Sequence, residues 1–446
     1  MRIITLGCAL AILVAGTVRA QQPDSTRRTK PDSAARADSI ARADSIRLVR
    51  ELERLDTPPR PGAAPSPPQQ VGGPVNARLL PDISAIGEVI GDLSPKGSTQ
   101  EDAGRFGIRE VELALGAAVD PYFRADFILG LSDLEGIAIE EAYLTAVALP
   151  GQFQARAGRF HMPIGKQNTT HRAELHTIEY PYVIQRFLAE DAAKGTGLWV
   201  SRIFAPLGFY QELQITAVDR IGARPEDLTA SERPNKELAG LGFSARLRNY
   251  LDVSSAANLE LSASAATGRR EQPVLNVNSG NAGLNAVNAR QSLVAADLTF
   301  RWRPLQQGLY KSFILQAEFM RQLNEGAASV LGRADNDVAT FAQYGGPTRG
   351  FNGAYAFARY QLSRRLYVGG RGDWLQDPEV GGETLRAASA YLQYFPSEFS
   401  KFVAGFERRF PSTGYEQAGP SELVQSRNRI LLQATFAVGP HRPHPF

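Results

Sequence analysis

The stretch Arg429-Ile430-Leu431-Leu432-Gln433-Ala434-Thr435-Phe436-Ala437-Val438 alternates two kinds of side chain. One parity carries Ile430, Leu432, Ala434, Phe436 and Val438; the other carries Arg429, Gln433 and Thr435. A β-strand points successive side chains to opposite faces, so a period of two describes a strand between two different solvents. A soluble sandwich and a membrane barrel both write this pattern, and the rest of the chain has to choose between them.

Working outward, the same alternation recurs from Pro81 to Val438 in sixteen strand candidates. Phe123, Ala125, Phe127, Leu129 and Leu131 alternate with Arg124 and Asp126, and Val294, Ala296, Leu298, Phe300 and Trp302 alternate with Asp297, Thr299, Arg301 and Arg303. Five connections are tight: Asp120-Pro121, Leu149-Pro150-Gly151, Ala205-Pro206-Leu207, Ser363-Arg364-Arg365 and Pro396-Ser397. The connections between them are mostly long and polar, over 91–104, 161–194, 219–236, 267–288, 323–350 and 411–426. Short turns at one end and long loops at the other are how an outer-membrane barrel is built, and a sandwich has no reason to sort its loops this way. Trp199, Trp302 and Trp374 fall near the ends of their proposed strands, where interfacial aromatic girdles belong. The expected fold is therefore all-β: a transmembrane antiparallel up-and-down β-barrel of about 16 strands (16–18).

The N-terminal region reads differently. Arg2, the apolar run Ile3 to Val14 and the small residues around Val18-Arg19-Ala20 predict a signal peptide over 1–20. A charged, partly helical periplasmic segment follows over 21–56, with Ala41-Arg42-Ala43-Asp44-Ser45-Ile46 echoing Ala35-Arg36-Ala37-Asp38-Ser39-Ile40. A Pro-rich linker spans 57–80, and the barrel takes 81–446. No run of 18 apolar residues occurs after the N-terminus, so a spanning helix is excluded while a barrel is not. Cys8, the only cysteine, lies inside the signal, so disulfide scaffolds and cysteine metal sites are excluded from the exported chain. Without Arg2 and Arg19 the chain holds 47 basic and 46 acidic residues; beyond Pro74 the balance is 38 to 39. The pI near 8.9 is thus no sign of a basic barrel, and nucleic acid is not an expected partner.

The run Phe106-Gly107-Ile108-Arg109-Glu110-Val111-Glu112-Leu113-Ala114-Leu115, then Arg124-Ala125-Asp126-Phe127 and Glu140-Glu141-Ala142-Tyr143-Leu144, resembles the front half of the phosphate-selective porin O/P-like family. The run Ala157-Gly158-Arg159-Phe160-His161-Met162-Pro163-Ile164-Gly165-Lys166-Gln167-Asn168 resembles it more closely, because in that family a strand ending Ala-Gly-Lys/Arg-Phe enters a loop beginning with proline and glycine. The resemblance covers about Phe106 to Phe204 by motif and the remainder by strand pattern and length. It implies an outer-membrane channel, commonly a homotrimer, for small anionic or neutral solutes, with membrane lipid and the outer-membrane assembly machinery as partners. One departure is that Phe446 lies beyond His441-Arg442-Pro443-His444-Pro445, so Phe436 stands in as the aromatic residue of the last strand.

A porin selects by pore radius and by the charges that line it. The third external loop, 161–194, is long enough to fold inward and narrow the channel. It carries Lys166 and Arg172, with Arg159 at its root. Arg124, Arg156, Arg246, Arg248, Arg301, Arg303, Arg371 and Arg429 occupy polar-face positions and are pore-lining candidates, since guanidinium suits phosphate and carboxylate. Near-neutral barrel charge favours the plainer alternative, that they pair with carboxylates such as Glu212, Asp297 and Asp373 on neighbouring strands. His161, His171 and His176 share one loop with Glu174 and Glu179 and could hold zinc, but no zinc spacing is present, so no metal or cofactor is expected. No phosphate-binding loop or nucleophile elbow occurs, so enzyme chemistry is not expected. The sequence thus predicts a passive outer-membrane porin leaning to anions such as phosphate; a structural, wall-tethering barrel or an outer-membrane barrel enzyme are the alternatives.

Overall fold

The strand code closes on itself. The computed structural model describes residues 81–100, 104–132, 136–221, 238–278, 281–326, 346–418, 423–424 and 426–439. The expected signal, charged segment and Pro-rich linker, together with the C-terminal histidines, lie outside the described residues.

Sixteen strands follow in order: β1 Asp82–Asp92, β2 Phe106–Ala118, β3 Phe123–Ser132, β4 Gly136–Leu149, β5 Phe153–His161, β6 Lys194–Phe204, β7 Tyr210–Val218 and β8 Gly242–Ser254. The second half adds β9 Ala257–Asn278, β10 Asn281–Trp302, β11 Phe313–Gly326, β12 Gly346–Gln361, β13 Leu366–Asp377, β14 Glu383–Ser397, β15 Ser400–Pro411 and β16 Asn428–Val438. Each pairs with its sequence neighbours, and β1 closes on β16 from Ala85 opposite Val438 to Asp92 opposite Leu431. Full closure leaves no unpaired edge, which backbone in lipid requires. At this seam the outward ring of Phe436 lies over Gly87, filling the space a Cβ would take.

The two solvents are now explicit. Outward positions all round the wall are large, apolar and exposed: Phe127 (47%), Val294 (52%) and Leu392 (49%) stand far apart on the circumference. Inward positions bury charge instead, including Glu88, Asp126, Arg246, Asp297, Arg371 and Glu407. A water-soluble barrel would invert this arrangement; a continuous apolar girdle around a polar interior is a transmembrane barrel. No helix in the described residues is long and apolar enough to cross a membrane.

Three sequence expectations change. The long loop expected over 267–288 is mostly strand: β9 and β10 run on as a ladder reaching Asn278 opposite Asn281. At the long-loop end, the connections at 133–135 and 378–382 are short, so loop length sorts less strictly than expected. Trp199 is no interfacial girdle residue; it is 5% exposed and faces the lumen, where the Arg156 guanidinium lies 4.5 Å from its ring. Trp302 and Trp374 keep the outward parity, each near the C-terminal end of its strand, which is the short-turn end of the barrel for Trp302 and the long-loop end for Trp374.

Candidate functional site: the lumen and its inserted loop

The connection between β5 and β6 folds into the barrel and crosses it. Its composition explains why. Met162, Ile164, Leu175, Ile178, Tyr180, Tyr182, Val183, Ile184 and Phe187 are all buried, in a core shared with Met320, Tyr355, Phe357 and Leu375 of the wall. A loop in water would expose these side chains at about 25 cal/mol per Å², so burial inside the barrel is the favourable state. The short helix α1 (Tyr182–Phe187) lies at the centre of this core.

Polar contacts fasten the loop all round. The Gln167 backbone N–H donates to Glu318 of β11 at 3.3 Å, and Tyr182 N–H donates to Asp373 of β13 at 3.1 Å. Tyr182 OH donates to Glu407 of β15 at 2.5 Å and accepts from Arg409 at 2.8 Å. Gln393 of β14 donates to the His176 carbonyl, and Lys401 of β15 donates to the carbonyls of Ala173 and Leu175 at 2.8 and 3.2 Å. Arg186 pairs with Asp377 at 2.8 Å.

The eleven pore-lining candidates separate into groups. Lys166, Arg246, Arg248 and Arg301 converge on Glu260, at 3.2, 3.9, 3.3 and 3.5 Å. Arg246 also pairs with Asp297 at 3.0 Å and Arg248 with Glu212 at 2.8 Å. Across the barrel, Arg371 pairs with Asp373 at 2.7 Å and donates to the Glu179 carbonyl at 2.6 Å, while Arg429 reaches the Glu179 carboxylate at 3.3 Å and Glu407 at 3.6 Å. Arg172, on the loop itself, pairs with Asp191 at 3.0 Å. Arg124 pairs with Asp126 at 3.2 Å near the short-turn end. Arg156 lies over the rings of Tyr143 and Trp199. Arg303 sits exposed in the β10–β11 connection and donates to the Gly308 carbonyl at 2.9 Å. Arg159 pairs in register with Ala142 and Thr196, on the parity opposite to lumen-facing Tyr143 and Phe160. Most of these cations are thus ion-paired along the wall, as the charge balance favoured.

Two β-bulges bring further charge inward. The β1–β2 register shifts at Glu88/Val89, and the extra residue, Arg109, reaches Glu88 and Glu179 at 2.9 Å each. The β3–β4 register shifts at Ile128/Leu129, so Glu140 and Glu141, adjacent in sequence, both meet lumen partners: Glu140 pairs with Lys194, and Glu141 with His171 at 3.2 Å. A bulge turns a side chain that alternation would have sent to lipid, which is why parity alone missed Arg109. Arg359, Lys401, Glu407 and Arg409 were also missed, although their polar-face positions could have pointed to them.

Loop charges are strongly tuned. Burial pulls the His171 imidazolium down, but the hydrogen bond to Glu141 and the charge of Glu112 outweigh it and raise its pKa to about 10. Lys166 goes the other way: burial lowers it, and Glu260 restores only part. The histidine group differs from the one the sequence suggested. His161 and His171 meet Glu141 of β4, whereas His176 stacks on Phe357 and Glu179 serves the arginines.

Between the loop and the short turns lies a cavity of about 930 Å³. Its wall holds Arg301, Arg359, Arg364, Arg365, Arg371 and Lys401, with Lys166 on the loop, against Glu174 and Glu398. Among the described residues no carboxylate pairs with Arg359, Arg364 or Arg365. Arg359 donates to Gln393 at 3.3 Å and lies over the Tyr367 ring, and Lys401 is spent on backbone carbonyls. The chamber therefore carries net positive charge although the barrel as a whole is balanced.

The chain matches no protein-family model. An uncharacterized protein of Aquifex aeolicus (strain VF5) is 27% identical over 371 residues, covering 78% of this chain and 72% of that protein. Among solved structures, the trimer form of in-vitro folded OmpT, an outer membrane protein of Vibrio cholerae, gives a TM-score of 0.49 at 8% identity, over 80% of this chain and 99% of that one. OmpF of Salmonella typhi in complex with daunomycin gives 0.49 at 11% identity, over 81% and 98%. An anion-selective porin from Comamonas acidovorans gives 0.48 at 10% identity, over 81% and 99%.

Proposed function

We propose that this protein is a passive outer-membrane channel for small solutes that prefers anions, phosphate-like ones among them, and does no catalysis. The observation that carries the reading is the chamber below the inserted loop, whose wall presents cations that no carboxylate neutralises. A cationic cavity with low-dielectric walls raises the local concentration of anions and favours their passage. The inserted loop supplies the constriction such a channel needs. Arginine and lysine face the path, and guanidinium offers fixed donors to phosphate or carboxylate oxygens.

The resemblance of 106–204 to the phosphate-selective porin O/P-like family supports the same reading. Under it the short turns and the segment 21–80 face the periplasm, and three chains associate through their apolar outer walls. The test is the reversal potential of the purified full-length protein in planar bilayers under a salt gradient. An anion-selective potential is expected; cation selectivity, or no stepwise conductance, overturns the reading. Cross-linking in native membranes checks the trimer separately.

A further inference from the structure

We propose that Glu141, His161 and His171 form a binding site for a zinc-class divalent cation that clamps the inserted loop to the barrel wall. Three elements meet here: Glu141 from β4, His161 at the end of β5, and His171 within the loop. One ligand atom from each lies within 4.8 Å of the other two.

The side chains already converge as a metal would require, and His171 releases its Nε2 proton to solvent when the metal binds. His161 Nδ1 lies 2.8 Å from the Asn168 carbonyl oxygen, which can only accept. Nδ1 therefore carries the hydrogen, and Nε2 presents a lone pair. That Nε2 is buried without a hydrogen-bond partner among the described residues. A buried acceptor with nothing to accept is costly unless something fills the space. Glu141 is held from the other side, where its Oε1 accepts the His161 backbone N–H at 2.9 Å, leaving Oε2 next to His171 Nε2 at 3.2 Å. His171 Nδ1 in turn lies 3.5 Å from Glu112. Each imidazole thus has an oxygen behind its far nitrogen, the arrangement that orients histidine ligands and raises their basicity.

The ligand set selects the metal. Two imidazoles and one carboxylate suit zinc and its neighbours in the first transition row, and suit calcium or magnesium poorly. Tetrahedral zinc with bonds of 2.0–2.1 Å spaces its ligands about 3.3 Å apart. The Glu141–His171 distance already meets that, and a ring nitrogen of His161 lies within 4.8 Å of both. The fourth position is open to water.

The test uses full-length protein carrying His441→Ala and His444→Ala, which removes the C-terminal histidines as competing ligands. The protein is stripped with chelator, purified in detergent, and titrated with zinc chloride by calorimetry, with bound metal counted by mass spectrometry. One zinc per chain is expected, and cobalt in its place should give the intense visible bands of a tetrahedral site. Glu141→Gln and His161→Ala should each weaken binding by more than about tenfold, and Glu112→Gln by about tenfold. Folding of each variant is checked by heat-modifiable gel migration. Zinc uptake that is unchanged in folded Glu141→Gln and His161→Ala overturns the proposal. So does no uptake at all, which would leave His171 and Glu141 as an ion pair only.

Discussion

Asn168 ties the two ends of the inserted loop together through Ala193. Its Oδ1 accepts the Ala193 backbone N–H at 2.6 Å, while its Nδ2 donates to the Ala193 carbonyl at 3.0 Å and to the Met162 carbonyl at 2.8 Å. Asn168→Ala leaves the buried Ala193 N–H unpaired, at roughly 1–3 kcal/mol, while the Ala193 and Met162 carbonyls keep the backbone N–H groups of Met162 and Ile164. The expected result is a loosened loop: larger, noisier single-channel currents and new protease cleavage within 162–193. Unaltered currents and an uncleaved loop would show that the apolar core alone holds it.

The chamber charges are separable from the ion-paired wall. Replacing Arg359, Arg364, Arg365 and Lys401 together with glutamine should move the reversal potential toward cations, with the barrel still folded. The shift should shrink as salt rises from about 0.1 M to 1 M, where the screening length falls from about 10 Å to about 3 Å. A potential that does not respond would place the selectivity elsewhere.

Arg246 and Asp297 are both buried and lie 3.0 Å apart. Arg246→Met strands a charged carboxylate in the lumen wall and should cost about 3–5 kcal/mol in denaturant unfolding. Arg246→Met with Asp297→Leu should recover most of that loss. Equal destabilisation by the single and double changes would show that the pair is not an energetic unit.

Adjacent residues on β3 test the two faces. Phe127 points to lipid and Asp126 to the lumen. Phe127→Arg should destabilise the barrel by about 2–4 kcal/mol and reduce its yield in the membrane. Asp126→Asn should leave both nearly unchanged. Tolerance of arginine at Phe127 would argue against a lipid-facing wall there.

The strands were legible because two solvents impose one period, and all sixteen appear where alternation places them. The inserted loop was legible only in part. Its charged residues drew notice, while the apolar run from Tyr180 to Ile184, which helps determine its inward fold, lies between polar residues and has no period of its own. Arg109 and the Glu140-Glu141 pair needed bulges, and a bulge leaves alternation broken without saying which side gains the extra residue. Trp199 misled because tryptophan near a strand end fits a girdle and equally a cation–π partner for Arg156. The joining of His161 and His171 with Glu141, twenty residues before His161, depends on register and on the loop's path, which spacing along the chain does not encode.

The cationic chamber lies on one side of the loop only. Its walls include Arg364 and Arg365 in one short turn and Glu398 in another, so it lies on the short-turn side of the loop. Such a conduit is electrically lopsided. Ions driven from the short-turn mouth fill a charged reservoir before the narrow point, and ions driven from the other mouth meet the narrow point first. The current–voltage curve should therefore bend, and its sense should report which way up the barrel has inserted.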